Sequence, residues 1–307
     1  MVARSETKQR HDCMEGGEGD SAHQMTCMEV WGGNQAVDSA VSTPGLDVWV
    51  FSKPWAGDDE GGDIHYLSMC AAGNISRFAL ADVAGHGDQV AGLAGTLRTL
   101  MRKNINTVDQ SRFTRSLNAA MTDQAQGRFA TAILATFFAP SRHLILTNAG
   151  HPRPLWFRQG ETAAGEAWTL LDESAPGALR GREDRLHDGP ANLPLGIIEP
   201  TSYSQFAVQL APGDLVLFYS DAMIEAPAPG GAQLGEAGLA RMAGASDRAS
   251  PQRAIPSLLQ RVVETTGGQA LADDVTMILL HANGAPPRPI PLAERISAVA
   301  RLLGFRD

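Results

Sequence analysis

The chain has little of what most often announces a function. Its three cysteines, Cys13, Cys27 and Cys70, are unevenly spaced and form no Cys-x-x-Cys pair. That argues against a disulfide scaffold and against a thiolate zinc site. Nowhere do eighteen apolar residues run together, so no membrane-spanning helix is expected. Met1 to Asp20 lacks the apolar centre of a signal peptide, and the chain reads as cytoplasmic and reduced. A long basic run is missing too: 25 Lys and Arg stand against 34 Asp and Glu, a formal net charge of -9. Nucleic acid is thereby disfavoured as a partner, because phosphate backbones call for clustered cations. There is no G-x-S-x-G elbow of a serine hydrolase and no P-loop. What remains is an ordinary hydrophobic share of 43%, enough for a sizeable core.

Residues 1–40 read as a disordered segment, opening on a stretch rich in Gly, Glu, Asp and Ser. Residues 41–283 read as one domain. Residues 284–307 read as a proline-rich spacer and a short amphipathic helix carrying Leu292, Ile296, Val299 and Leu303, a stripe that would pack on its own domain. Within the domain, Val48 to Phe51 has the compact apolar run of a buried strand. Runs on either side of Gly73-Asn74 predict a hairpin, with Asp63 entering its first strand and Asp82 leaving its second.

Beyond Gly87 the period changes. Val90, Leu93, Leu97, Leu100 and Met101 mark an amphipathic helix over Asp88 to Lys103, and a second follows from Ser111. Strands are predicted at Phe129 to Phe138, His143 to Asn148, Leu155 to Phe157, Asp214 to Ser220 and Val275 to Leu280. Glu173 to Pro194 reads as a surface insertion, and Pro256 as the opening of a helix. Strands grouped with strands and helices in pairs favour a layered α+β domain over a parallel βαβ array.

Four short acidic motifs stand out: Gly61-Gly62-Asp63, Asp82-Val83-Ala84-Gly85-His86-Gly87, Tyr219-Ser220-Asp221 and Asp273-Asp274-Val275-Thr276. Each alone is explicable as a turn or a helix cap. Together they bring acids to four strand ends, where carboxylates repel one another unless cations lie between them. Carboxylate and carbonyl oxygens suit Mg2+ or Mn2+, and no Cys/His spacing for zinc is present. Two such ions can clamp a phosphate and acidify a water, which is the chemistry of phosphoester hydrolysis.

Taken in order, with Asn148-Ala149-Gly150-His151-Pro152 and Glu225 added, these motifs resemble the metal-dependent protein phosphatases. Within them the set looks like the bacterial SpoIIE/RsbU-like branch, distant relatives of the type 2C serine/threonine phosphatases. The resemblance covers roughly Leu46 to His281. It implies a four-layer α-β-β-α sandwich, two antiparallel sheets between helical layers, with two Mn2+ or Mg2+ ions at one sheet end. Asp63 and Asp82 would be ligands, Asp82 bridging both ions and the Val83 carbonyl contributing beside it. Asp221 and one of Asp273 and Asp274 would hold the second ion. Asp273 is favoured, because the first acid of the pair aligns with the family ligand.

His86 would orient water or a proton, while His151 would position a loop beneath the site and His65 would occupy a strand face. Two departures are visible. Ala222 stands where the family often has glycine, and no arginine lies between Arg10 and Arg77 to grip phosphate. The implied substrate is a phosphoserine or phosphothreonine on a regulatory protein, by analogy an anti-sigma-factor antagonist. Regulation would come from the tails, a separate partner or a second copy of the chain. A catalytically silent interaction module and a small-molecule phosphoesterase are the alternatives.

Overall fold

In the computed structural model of the chain, residues 22–25, 29–70, 74–84, 88–103, 109–124, 127–160, 168–181, 190–228, 230–245 and 250–287 are described, with 289, 292 and 296. The strands are β1 (His23–Gln24), β2 (Val30–Gly33), β3 (Val37–Thr43), β4 (Leu46–Lys53), β5 (Asp63–Cys70), β6 (Ile75–Val83) and β7 (Ala130–Phe138). They continue with β8 (His143–Ala149), β9 (Leu155–Phe157), β10 (Thr169–Leu170), β11 (Leu179–Arg180), β12 (Phe206–Gln209), β13 (Leu215–Tyr219) and β14 (Val275–Ala282). The helices are α1 (Asp88–Lys103), α2 (Gln110–Gln124), α3 (Ala222–Glu225), α4 (Gly235–Gly244) and α5 (Pro251–Thr265).

Two seven-stranded sheets result. Sheet I has the order β11-β12-β8-β7-β6-β5-β2, and sheet II the order β1-β3-β4-β14-β13-β9-β10. Neighbours are antiparallel except β1 and β3, which pair in parallel. Side chains two apart on a strand share a face, and this period separates three apolar layers. Leu67, Met69, Phe78 and Leu80 of sheet I meet Val48, Val50, Phe218, Ile278 and Leu280 of sheet II between the sheets. Ile64, Tyr66, Ala79 and Ala81 point the other way, against Leu97 and Met101 of α1 and Leu117 and Met121 of α2. On the far side, Leu217, Met277 and Leu279 carry Leu239 of α4 and Leu258 and Val262 of α5. The architecture is therefore the α-β-β-α sandwich. Each fully buried leucine, such as Leu80, contributes roughly 1.5–3 kcal/mol of transfer free energy.

The structure corrects two expectations. Within the segment 1–40, β2 and most of β3 are strands, bound to β5 and β4 respectively. Gly32-Gly33 and the polar alternation of β3 mask a strand whose stability comes from its neighbours rather than its own composition. Residues 1–21 lie outside the described residues. Pro256 does not open its helix. That place belongs to Pro251, and Pro256 sits inside α5, where the carbonyl its missing N–H leaves free is that of exposed Gln252, open to water. The described part of the Glu173 to Pro194 stretch lies at the surface as expected, and there β11 pairs with β12 at the edge of sheet I. Of the expected C-terminal helix, only Leu292 and Ile296 fall among the described residues, and both are exposed.

Candidate metal centre

The register of the β5–β6 hairpin sets Asp63 directly opposite Asp82. Both continue the face that carries Leu67 and Leu80 toward sheet II, so the apolar interior ends here in two acids. Sheet II supplies the others. β13 stops at Tyr219 and hands over Ser220 and Asp221, while β14 starts at Val275, immediately after Asp273-Asp274. Because β13 and β14 are antiparallel neighbours, the end of one and the start of the other lie together.

Between the two acid groups lies a layer of hydroxyls. Ser52 Oγ is 2.9 Å from Thr276 Oγ1. Ser220 Oγ accepts from the Thr276 amide at 2.9 Å and donates to the Asp274 carbonyl at 3.2 Å. The Thr276 and Ser220 hydroxyls also lie near the Asp63 carboxyl and favour its charged form. These three hydroxyls were not anticipated. The signal was available: Ser52 follows Val48 and Val50, and Thr276 precedes Ile278 and Leu280, each on the inward period of an apolar strand.

The electrostatics are those of acids without bases. Asp63 is 3% exposed and its Oδ2 has no hydrogen-bond partner. Burial first, and the Asp82 charge second, push its pKa well above the carboxylate range. Asp82 rises to about 7, chiefly through burial and then through Asp221, Asp273 and Asp274. Asp82 and Asp221, from different sheets, thus lie close enough to perturb each other's ionisation. Asp221 is raised as well, by burial and then by the Glu225 and Asp273 charges. Every large charge influence on Asp82 is another aspartate, and such a set favours protons or cations.

Asp273 and Asp274 divide their roles. Asp274 Oδ1 accepts the Trp55 amide at 2.6 Å, and Oδ2 accepts the amides of Gly62 at 2.5 Å and Asp63 at 3.4 Å. A Cβ on Gly61 would stand 2.5 Å from the Asp274 carboxylate, which explains the glycine before Gly62. Asp274 therefore fixes the strand that presents Asp63. Asp273 is exposed and, among the described residues, accepts the Asp274 amide alone, at 2.8 Å, through Oδ1. Ala222 costs nothing in place of glycine: it is the first residue of α3 and lies in an ordinary helical turn.

The Asn-Ala-Gly-His-Pro motif is the crossover from β8 of sheet I to β9 of sheet II. Asn148 clamps the backbone of His151 on both sides, Oδ1 accepting its amide at 2.7 Å and Nδ2 donating to its carbonyl at 2.8 Å. Gly150 makes the bend at φ 70°, where a Cβ would strike Pro194 at 2.6 Å. The His151 ring is buried, with Nδ1 2.8 Å from Thr131 Oγ1 and Nε2 3.1 Å from the Tyr219 carbonyl. His65 is buried in β5, its pKa lowered to about 4 by burial and the Arg98 charge. His86 lies outside the described residues.

Among the described residues no three acid or imidazole groups already converge on one point. The donor set nevertheless fits hard divalent cations. It offers an orphaned buried carboxylate oxygen, further carboxylates and no thiolate. Asp63, Asp82, Asp221 and Asp273 come together at one end of the sandwich, with Val83 following Asp82 on the same strand. Asp274 is near but committed to backbone amides.

Comparison with known proteins follows the same line. The profile of the family described as Stage II sporulation protein E (SpoIIE) matches residues 73–283. No curated protein matches the chain. Among solved structures, the RsbU and RsbW domains of Rv1364c from Mycobacterium tuberculosis superpose with a TM-score of 0.64 at 21% identity, over 88% of this chain and 72% of that one. The PP2C phosphatase domain and regulatory-domain fragment of SpoIIE from Bacillus subtilis give 0.59 at 16%, over 85% and 69%. RsbX in complex with magnesium gives 0.53 at 15%, over 80% and 99%. At these identities the likeness is one of fold.

Proposed function

We propose, from the premise that this chain belongs to the stage II sporulation protein E (SpoIIE) family and has the PP2C-type phosphatase fold, that it is a metal-dependent serine/threonine protein phosphatase. The observation that carries this reading is the buried Asp63, with an unpartnered oxygen, opposite Asp82 and facing acids from the other sheet. Asp63, Asp82 and the Val83 carbonyl would hold one divalent cation; Asp82, Asp221 and Asp273 would hold a second. The magnesium in the RsbX complex supports Mg2+ or Mn2+ as the occupant. When bound, such ions supply Lewis acidity toward a phosphoryl group and acidify water.

The chain's own groups then have separate tasks. Asp82 holds the two halves together. Ser220 and Thr276 orient Asp63, and Asp274 fixes the loop that presents it. His86 is the candidate for placing a proton or a water. The substrate class is a phosphoserine or phosphothreonine on a regulatory protein, by analogy an anti-sigma-factor antagonist. A test is turnover of p-nitrophenyl phosphate by the purified chain with Mn2+, with Mg2+ and with EDTA. Turnover should require metal and vanish in Asp82→Asn and Asp221→Asn; metal-independent turnover in both variants would sink the reading.

A further inference from the structure

We infer that His151 is a positioning residue that sets the separation between the two acid groups of the cleft, and so the affinity and spacing of the cations they hold. The inference rests on the metal reading above and assigns a task to a motif which that reading leaves unused. Thr131, on one side of the ring, is the β7 residue directly opposite Asp82 in the sheet I register. Tyr219, on the other side, is two residues before Asp221 on sheet II. One imidazole thus joins the neighbour of one candidate ligand to the strand end that delivers another.

The chemistry of the two contacts fixes the tautomer. A carbonyl oxygen only accepts, so Nε2 carries the proton to Tyr219, and Nδ1 accepts from the Thr131 hydroxyl. A neutral ring satisfies both, and burial holds the His151 pKa down to about 3. The ring is itself held rigidly. Asn148 grips its backbone from both sides, and the Tyr219 hydroxyl donates to the Arg153 carbonyl at 2.7 Å, tying β13 to the same crossover a second time. Away from this end the sheets meet through apolar side chains, which resist separation but do not fix it to a fraction of an ångström. A directed hydrogen-bond bridge does, and metal centres are sensitive at that scale.

The test compares wild type with His151→Gln, which replaces the rigid ring by a flexible side chain, with Thr131→Val, which replaces the donating hydroxyl by a methyl and leaves the Tyr219 contact, and with Val216→Ala, a core control within β13. Each is titrated with Mn2+ by calorimetry, and the electron paramagnetic resonance of the Mn2+-loaded protein is recorded, because spin coupling between two ions reports their spacing. His151→Gln should weaken Mn2+ binding roughly 10- to 100-fold, as loss of an outer contact to a metal centre does, and should alter the coupled spectrum. Thr131→Val should move both in the same direction by less, and it carries the test should His151→Gln fail to fold. The control should lose melting temperature and keep affinity and spectrum. Wild-type affinity and spectrum in both bridge variants, or equal losses in the control, would overturn the inference while leaving the metal reading intact. A wild type that binds no Mn2+ would overturn both.

Discussion

Asp63 and Asp82 enter the cleft from within paired strands of sheet I, whereas Asp221 and Asp273 enter it from the turns outside β13 and β14. The first pair is fixed by register, with Asp63 buried; Asp82 and Asp221 are half-buried and Asp273 is exposed. Burial and mutual repulsion fall most heavily on Asp63 and Asp82, whose carboxyls are held up toward protonation at neutral pH, and extend to Asp221. The sheet II half keeps its contact with solvent at Asp273. A cleft built this way has one rigid, electrostatically unfavourable wall that a cation relieves, and one more open wall, presented by turns, that completes the shell.

The largest expected effect breaks the rigid wall. Asp82→Asn should lower Mn2+-dependent phosphoester turnover by more than roughly 100-fold, beyond what an outer contact costs. A loss below ten-fold, read from initial rates at saturating Mn2+, would place Asp82 outside the centre.

The same substitution should have the opposite effect on the metal-free fold. The Asp82 carboxyl has a pKa of about 7 when folded against the ordinary 3.8, so the folded state keeps a proton that the unfolded state releases. Its contribution to stability is therefore present below the unfolded value and is lost as pH rises from about 4 to about 7. In EDTA, Asp82→Asn should melt higher than wild type at pH 8 and show no such gain near pH 4. Equal melting temperatures at pH 8 would mean that Asp82 carries no electrostatic strain.

A third prediction separates adjacent acids. Asp274→Ala strands the amides of Trp55 and Gly62 and should cost roughly 1–3 kcal/mol in denaturant unfolding, toward the lower end because Trp55 is 48% exposed. Asp273→Asn should leave that stability unchanged and weaken Mn2+ binding. The reverse pattern would exchange their roles. The smallest effect lies outside the comparison. Arg153 pairs with Glu236 at 2.6 Å and Asp172 at 3.0 Å, with 43% of its side chain exposed. Arg153→Ala should cost under about 1 kcal/mol and leave Mn2+ affinity alone.

Much of this was legible in the residues. The β5–β6 hairpin, α1, β7 to β9, β13 and β14 follow from apolar period and turn chemistry, and with them the ends that bear Asp63, Asp82, Asp221 and Asp273. What escaped has physical reasons. β2 and β3 depend on pairing with β5 and β4, and α4, with glycines at positions 235, 238 and 244, has weak local propensity. The task of Asp274 is set by amides more than two hundred positions away, at Trp55 and Gly62, and no local pattern records it. The link from His151 to Thr131 and Tyr219 exists only once the two sheets face each other.

The central claim is that acids from two sheets share cations, and crystals grown with Mn2+ test it most directly through anomalous scattering at the manganese edge. Two anomalous peaks between Asp63 and Asp82 on one side and Asp221 and Asp273 on the other, with Asp82 touching both, are the expected result. Mn2+ bound elsewhere, or these four acids without Mn2+ at concentrations that support turnover, would contradict it.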